Sequence, residues 1–331
     1  MFLSIVIPLY NRPQEIGELL ESLTQQRYAP FEVIVVEDGS SKPAKHIVES
    51  YQDRLDIHYY EKKNEGQGFA RNYGFLKAKG DYFIVFDSDI IVPADYLQRV
   101  VGAIQRDGWD AFGGPDAAHS SFTDIQKAIS YSMTSPFTTG GIRGSKKHVG
   151  QFHPRSFNMG LSREVYEHTG GFKLSRRSED IELSIRMIQR GFKVGLIPEA
   201  FVYHKRRATF EQFFKQTQGF GKGRIDIYKL FPQELKIVHV LPAFFVVGLV
   251  CLLFCNLITW ARRGQIPMLT LLCNIGNVLF LIYTCLLFLH AWICTKRITV
   301  AGLAVMAAYT QLIAYGLGFI GNCMDRVVWK K

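Results

Sequence analysis

Tyr82-Phe83-Ile84-Val85-Phe86-Asp87-Ser88-Asp89 is the stretch on which the fold turns. Five consecutive apolar residues, two of them β-branched, read as a buried strand. An Asp-x-Asp follows at its carboxyl end. In an extended turn, carboxylates two positions apart point to the same side, and oxygen donors so placed suit Mg²⁺ or Mn²⁺ bridged to a diphosphate. Open α/β sheets bind ligands beyond the carboxyl ends of their strands, which is where this pair stands.

Upstream, β-branched runs alternate with helical periodicity, so the strand belongs to a series of βαβ units and a parallel sheet. Leu3 to Leu9 is a strand, and the next helix has Pro13 in its first turn with Ile16, Leu19, Leu20 and Leu23 on one face. Val33 to Val36 and Ile57 to Tyr60 are further strands. Helices are expected near Ala44 to Tyr51 and from Gly66 to Gly68 onward. Downstream, a helix begins at Pro93, and Tyr96, Leu97, Val100, Val101 and Ile104 form its buried stripe. Residues 116 to 155 are polar, Gly- and Ser-rich and without period, and are expected to form mobile loops that carry specificity. Order returns with Ser156 to Leu161, a helix capped by Ser162, the Gly170-Gly171 break, and a helix from Ser178 to Arg190 stopped by Gly191. Met1 to Tyr10 lacks a basic start and contains Pro8, so it reads as a strand and not a signal peptide.

From Ile237 the composition changes. Ile237 to Trp260, Met268 to Ile293 and Ile298 to Ile320 are nearly uncharged runs of roughly 23 to 26 residues, enough to cross a hydrocarbon core. With 39 basic against 29 acidic residues the formal net charge is +10, compatible with anionic lipid or phosphorylated substrates. The basic excess gathers beside the apolar runs, which argues against nucleic acid. All six cysteines lie in the last third without metal-ligand spacing, so neither zinc nor disulfides are indicated. Lys205, Arg206, Arg207, Lys215, Lys222, Arg224 and Lys229 surround Phe210, Phe213, Phe214 and Thr217 at helical spacing. That pattern fits a helix in the headgroup layer, where Arg206 and Arg207 could grip an acceptor phosphate.

Three further sites carry chemistry. Asp38, after the strand Val33 to Val36 and before Gly39, could accept hydrogen bonds from a nucleobase or ribose. The segment Asn64-Glu65-Gly66-Gln67-Gly68-Phe69-Ala70-Arg71-Asn72 joins a Gly-rich turn to a helix bearing Arg71, so amides and a guanidinium could meet phosphate. It lacks the Gly-Lys-Ser/Thr ending of a P-loop. Ser178-Glu179-Asp180-Ile181-Glu182 opens a helix, and a carboxylate there could take a proton from an attacking hydroxyl.

Taken in order, Val6 to Asn11, Glu37-Asp38-Gly39-Ser40, Asn64 to Asn72, Asp87-Ser88-Asp89, Phe157-Asn158-Met159-Gly160, Glu179-Asp180 and Tyr203-His204 resemble the family 2 glycosyltransferases of GT-A fold, over about residues 1 to 205. The resemblance implies an inverting, metal-dependent, single-displacement transfer from a nucleotide diphosphate-sugar, a UDP-sugar first of all. It implies donor contacts at Pro8, Tyr10, Asn11, Asp38, Asn64, Gly66, Arg71 and Asp87, and a metal at Asp87 and Asp89 with His204 approaching it. Asp180 becomes the base, with Glu179 beside it, and Asn158, Met159 and Gly160 fall on the acceptor side.

The Gln-x-x-Arg-Trp motif of processive synthases is absent from Gln216 to Arg224, and three apolar runs offer little material for a channel. The expected architecture is therefore a catalytic domain over 1–232, with 205–232 interfacial, and a membrane domain over 233–331. The expected activity is single-sugar addition to a lipid-linked acceptor in glycan or glycolipid synthesis. A processive or polyprenyl-phosphate-specific transferase and a catalytically silent scaffold are the alternatives. Nucleotide-sugars are made in the cytosol, so an integral membrane protein with a cytoplasmic catalytic domain is expected. Three full spans would then leave Arg262, Arg263 and the lysine tail outside, against positive-inside bias, so one run, the first with Pro242, is a candidate for a re-entrant or interfacial segment.

Overall fold

The structure is a computed structural model that describes residues 1–117, 122–139 and 152–329. The chain opens with β1 (Leu3–Leu9), α1 (Pro13–Thr24), β2 (Phe31–Asp38), α2 (Lys45–Glu49), β3 (Ile57–Lys62), α3 (Gln67–Lys77), β4 (Tyr82–Phe86), β5 (Ile90–Ile91), α4 (Tyr96–Asp107), β6 (Ala111–Gly113) and β7 (Asp116–Ala117). It then forms α5 (Asp124–Thr134) and α6 (Pro136–Thr139). Next come β8 (Asn158–Ser162), α7 (Arg163–Thr169), α8 (Glu179–Gln189), β9 (Val194–Leu196) and β10 (Val202–His204). Four helices close the chain: α9 (Phe210–Leu230), α10 (Ile237–Ala261), α11 (Pro267–Thr295) and α12 (Ile298–Cys323).

These elements divide into two compact units, Met1–Ser120 with Lys146–Lys205, and Ser121–Ser145 with Arg206–Lys331. The first is a seven-stranded sheet in the order β3-β2-β1-β4-β8-β6-β9. β3, β2, β1 and β4 run parallel, and β8 enters antiparallel to both β4 and β6. Successive side chains of β1 point to opposite faces. Ile5 and Ile7 pack with Leu19 and Leu20 of α1 and Val100 of α4, while Val6 packs with Ala70 and Phe75 of α3 and Leu183 and Met187 of α8. Both faces are thus covered, as a parallel sheet requires. Gly74 lets α3 lie close to the sheet, since a Cβ there would come within 2.4 Å of Val6 Cγ1. The apolar stripes expected for α1 and α4 are the buried ones.

In the second unit, α10 and α11 are 25 and 29 residues long, and the third apolar helix runs from Ile298 to Val328. Reciprocal amide bonds join Asn256 of α10 to Asn277 of α11, at 3.2 and 3.0 Å. The expectation of loops over 116–155 is corrected at α5. Thr123 and Gln126 form a capping box at its start. Ala128, Ile129 and Met133 then bury against Phe213, Ala291, Ala304 and Ala307. The rest of that expectation, at 118–121 and 140–151, lies outside the described residues.

Candidate active site

The carboxyl ends of β1, β2 and β4 lie side by side because the strands are parallel and in register, with Leu9 opposite Glu37 and Val6 opposite Val85. Asn11, Asp38 and Asp87 each stand just past or at a strand end. Asn11 is held at φ 53 and organises the turn after β2. Its backbone amide donates to Ser40 Oγ, and its Oδ1 accepts from Ser41 Oγ and the Lys42 amide. Pro8 is half-buried within β1, and Tyr10 beyond it is exposed.

Asp38 is buried and fixes the loop before α3. Its two oxygens accept from the amides of Glu65 (3.0 Å) and Gly66 (2.8 Å), and Lys62 Nζ lies 3.1 Å from Oδ1. Gly66 has φ 100, where L side chains are strained. Asn64 Oδ1 accepts from the Arg176 guanidinium. The turn therefore rests on two partners distant in sequence.

Arg71 is wholly buried and bridges two elements. One guanidinium nitrogen donates to Asp87 Oδ1 at 2.7 Å and the other to Glu179 Oε1 at 2.9 Å. Burial opposes its charge, but Asp87 and Glu179 outweigh that and raise its pKa. Glu179 is raised too, first by burial and then by the Asp180 carboxylate. Asp180, in the first turn of α8, accepts from the Ile181 amide and lies 3.7 Å from Arg155.

His204 reaches the same place by a longer route. β10 pairs antiparallel with β5, setting His204 opposite Ile90, so its Nε2 stands 3.2 Å from Asp89 Oδ1 while its ring stacks on Phe157. Donor atoms of Asp87, Asp89 and His204 all lie within 4.8 Å of one another. Two carboxylates and an imidazole form a donor set that could hold a divalent cation, with the nitrogen suiting Mn²⁺ better than Mg²⁺.

The structure thus brings together Asn11, Asp38, Asn64, Gly66, Arg71, Asp87, Asp89, Glu179, Asp180 and His204 in the first unit. Asn158, Met159 and Gly160 are interior residues of β8. Asn158 accepts from Tyr96 Oη and donates to the Ala200 carbonyl, Met159 sits in the core, and a Cβ on Gly160 would meet the Phe112 ring at 2.0 Å. They frame the site rather than offer side chains to a ligand. Arg206 and Arg207 belong to the second unit. Three arginines escaped the sequence reading: Arg12, paired with Asp89, Arg155 beside Asp180, and Arg176 on Asn64. Each lies within three residues of a quoted motif, which was the available signal.

The chain is similar to known proteins in sequence and in fold. The chain is 27% identical over 255 residues to glycosyltransferase AglE of Haloferax volcanii, covering 75% of this chain and 81% of that protein. It is 24% identical over 252 residues to the dolichyl N-acetyl-alpha-D-glucosaminyl phosphate 3-beta-D-2,3-diacetamido-2,3-dideoxy-beta-D-glucuronosyltransferase of Methanococcus voltae, with coverages of 70% and 78%. Among solved structures, the mannosyltransferase PcManGT of Pyrobaculum calidifontis, in complex with GDP-Man and Mn²⁺, superposes with a TM-score of 0.63 at 18% identity over 94% of this chain and 86% of that one. Residues 4–170 match the sequence model of glycosyl transferase family 2. Sheet, strand-end carboxylates and sequence therefore meet in one conclusion: the chain belongs to glycosyl transferase family 2, as a glycosyltransferase of GT-A fold with three long apolar helices at its carboxyl end.

Proposed function

We propose that the protein transfers a single sugar, with inversion, from a nucleotide diphosphate-sugar to a lipid-linked acceptor at the cytoplasmic face of a membrane. The observation that carries this is the placement of Asp38 and Asp87 at the carboxyl ends of the two strands that flank β1, with Asp89 and His204 gathered beside Asp87. In this reading Asp38, with Asn11, receives the nucleoside, and the turn it holds at Glu65 and Gly66 lines the donor. Asp87, Asp89 and His204 would hold Mg²⁺ or Mn²⁺, which supplies charge neutralisation at the departing diphosphate. Arg71 fixes Asp87 on one side and α8 on the other, so the donor end and the base share one support. Asp180 takes the proton of the attacking hydroxyl as its oxygen closes on the anomeric carbon. The acceptor class is supported by the name of the Methanococcus relative, a dolichyl phosphate glycoside transferase, and by the apolar helices.

The test is turnover by the full chain in detergent across UDP- and GDP-sugars, with polyprenyl phosphate glycans as acceptors. Excess chelator is expected to abolish transfer, Mg²⁺ or Mn²⁺ to restore it, and NMR to find the product anomer opposite to the donor's. Full activity in chelator, or a retained anomer, would refute the reading.

A further inference from the structure

All three apolar helices are long enough to span a bilayer, yet they are not equivalent. In α10 and α11 only 11% of the most apolar window is buried, whereas in the third helix 44% is. α12 packs against α5, α10 and α11, and along one flank against a charged neighbour. α9 carries Glu211, Lys215, Lys222, Arg224, Asp226 and Lys229 within 21 residues, and it follows α12 in the same direction. Phe213 packs with Ala304 and Ala307. The backbones touch at Gly221 and Gly318, where a Cβ would come within 2.1 Å of the Tyr315 and Gln218 carbonyls respectively. Further on, Asn322 donates to the Lys222 carbonyl and to Asp226 Oδ1, and Arg326 lies 3.5 Å from Asp226. If α12 crossed the bilayer, α9 would be drawn through beside it, with six ionisable side chains at hydrocarbon depth, which is strongly unfavourable.

The other two helices are placed differently. Tyr309, near the middle of α12, stacks on Phe245 of α10 and Phe280 of α11. From there the upper arms part along α12: the Pro242 carbonyl meets Gly316, and Ala291 packs with Val300 and Ala301. Beyond Val246 and before Phe280 they pair instead with each other, through Leu252 and Gly276, Asn256 and Asn277, and Thr259 and Cys273. That stem extends about 20 Å past α12. A helix sunk ~5–10 Å into the headgroup boundary leaves about that much of a ~30 Å core to cross.

We infer that α12 lies in the membrane interface as the partner of α9, and that only the α10–α11 hairpin crosses. The surface it presents is one for the headgroup and acyl boundary of a single leaflet. The hairpin tip, Arg262 and Arg263, reaches the far side, while Lys296, Arg297 and Arg326 stay on the near side with α9 and the carboxyl terminus. Compared with a three-span arrangement this moves Arg326 and the carboxyl terminus to the near side, so that only the tip arginines stand across the membrane, and the interfacial run is the third rather than the first.

The test uses the full chain in sealed membrane vesicles, with epitope tags at both termini. Protease is expected to remove both tags from the same vesicle population and to spare both in the opposite one. Loss of one tag with protection of the other would mean that α12 crosses and would overturn the inference. Independently, Gln265→Cys in a chain whose six cysteines are serine should react with an impermeant maleimide only from the face opposite the tags. Labelling from the tagged face would overturn the crossing hairpin. The tags sit on the unaltered sequence, so they decide the fate of α12 even if the cysteine-free chain fails to fold.

Discussion

Asp180→Asn keeps the size of the side chain and its amide contact to Ile181 while removing the proton acceptor. Turnover is expected to fall by roughly 10² to 10⁴-fold with donor affinity retained, measured as single-turnover rate against donor Kd. An unchanged rate would move the base to another carboxylate. Glu179 is the neighbour to examine, and its titration has a sign. Burial, then Asp180, raises its carboxyl above the ordinary glutamate range, so the folded protein holds this proton more readily than the unfolded chain. The stability involved is complete below the ordinary glutamate value and is lost as pH rises through the raised one. Glu179→Gln stays neutral throughout, so its thermal midpoint in detergent should gain on the wild type as pH is raised from about 4 to about 8. A difference that does not change with pH would contradict the assignment. At this scale the sequence was informative about carboxylates, because strand ends and helix starts announce them. It named Arg71 but not Arg12 or Arg155, which matter only through side chains reaching across folded turns to Asp89 and Asp180.

Elements with strong periodicity were legible in type and buried face, though α4 begins at Tyr96 and not at Pro93. The buried faces of α1 and α4 follow from their i, i+3, i+4 spacing, and the parallel strands from their β-branched runs. α5 was not legible, because its apolar positions are mixed with serines and a lysine. What makes it a helix is the Thr123–Gln126 box and burial against residues far along the chain. The family resemblance named His204, but its route was hidden, since β10 gains its place by pairing with a two-residue strand. The start of α3 shows how tightly one element depends on another. The Gly68 amide donates to the Ser175 carbonyl, and a Cβ at this position would stand 2.2 Å from the Leu174 carbonyl, where only backbone could yield. Gly68→Ala is expected to lower stability by about 1–3 kcal/mol and to weaken donor binding, read by thermal shift and by titration with nucleotide. Binding at the wild-type level would show that this turn does not shape the donor site.

For the whole molecule, the composition change at Ile237 identified the apolar helices, but no composition scale could reveal that α9 would claim one flank of α12. The proposed lipid-linked acceptor belongs to this scale. Arg206→Gln with Arg207→Gln is expected to cut transfer to a polyprenyl-linked acceptor about tenfold or more, leaving a water-soluble version of the same acceptor unaffected. Equal losses on both would assign these arginines to the donor diphosphate. The Asn256–Asn277 pair bears on how such a molecule is made. The Asn256 amide donates to the Leu252 carbonyl of its own helix, and the pairing with Asn277 meets the carbonyl oxygens of both side chains, which on the proposed hairpin would otherwise enter the bilayer core without a donor. On the proposed hairpin, α10 therefore gains from waiting for α11 before leaving the translocon, and the two helices would go into lipid as one preassembled pair with its register already set.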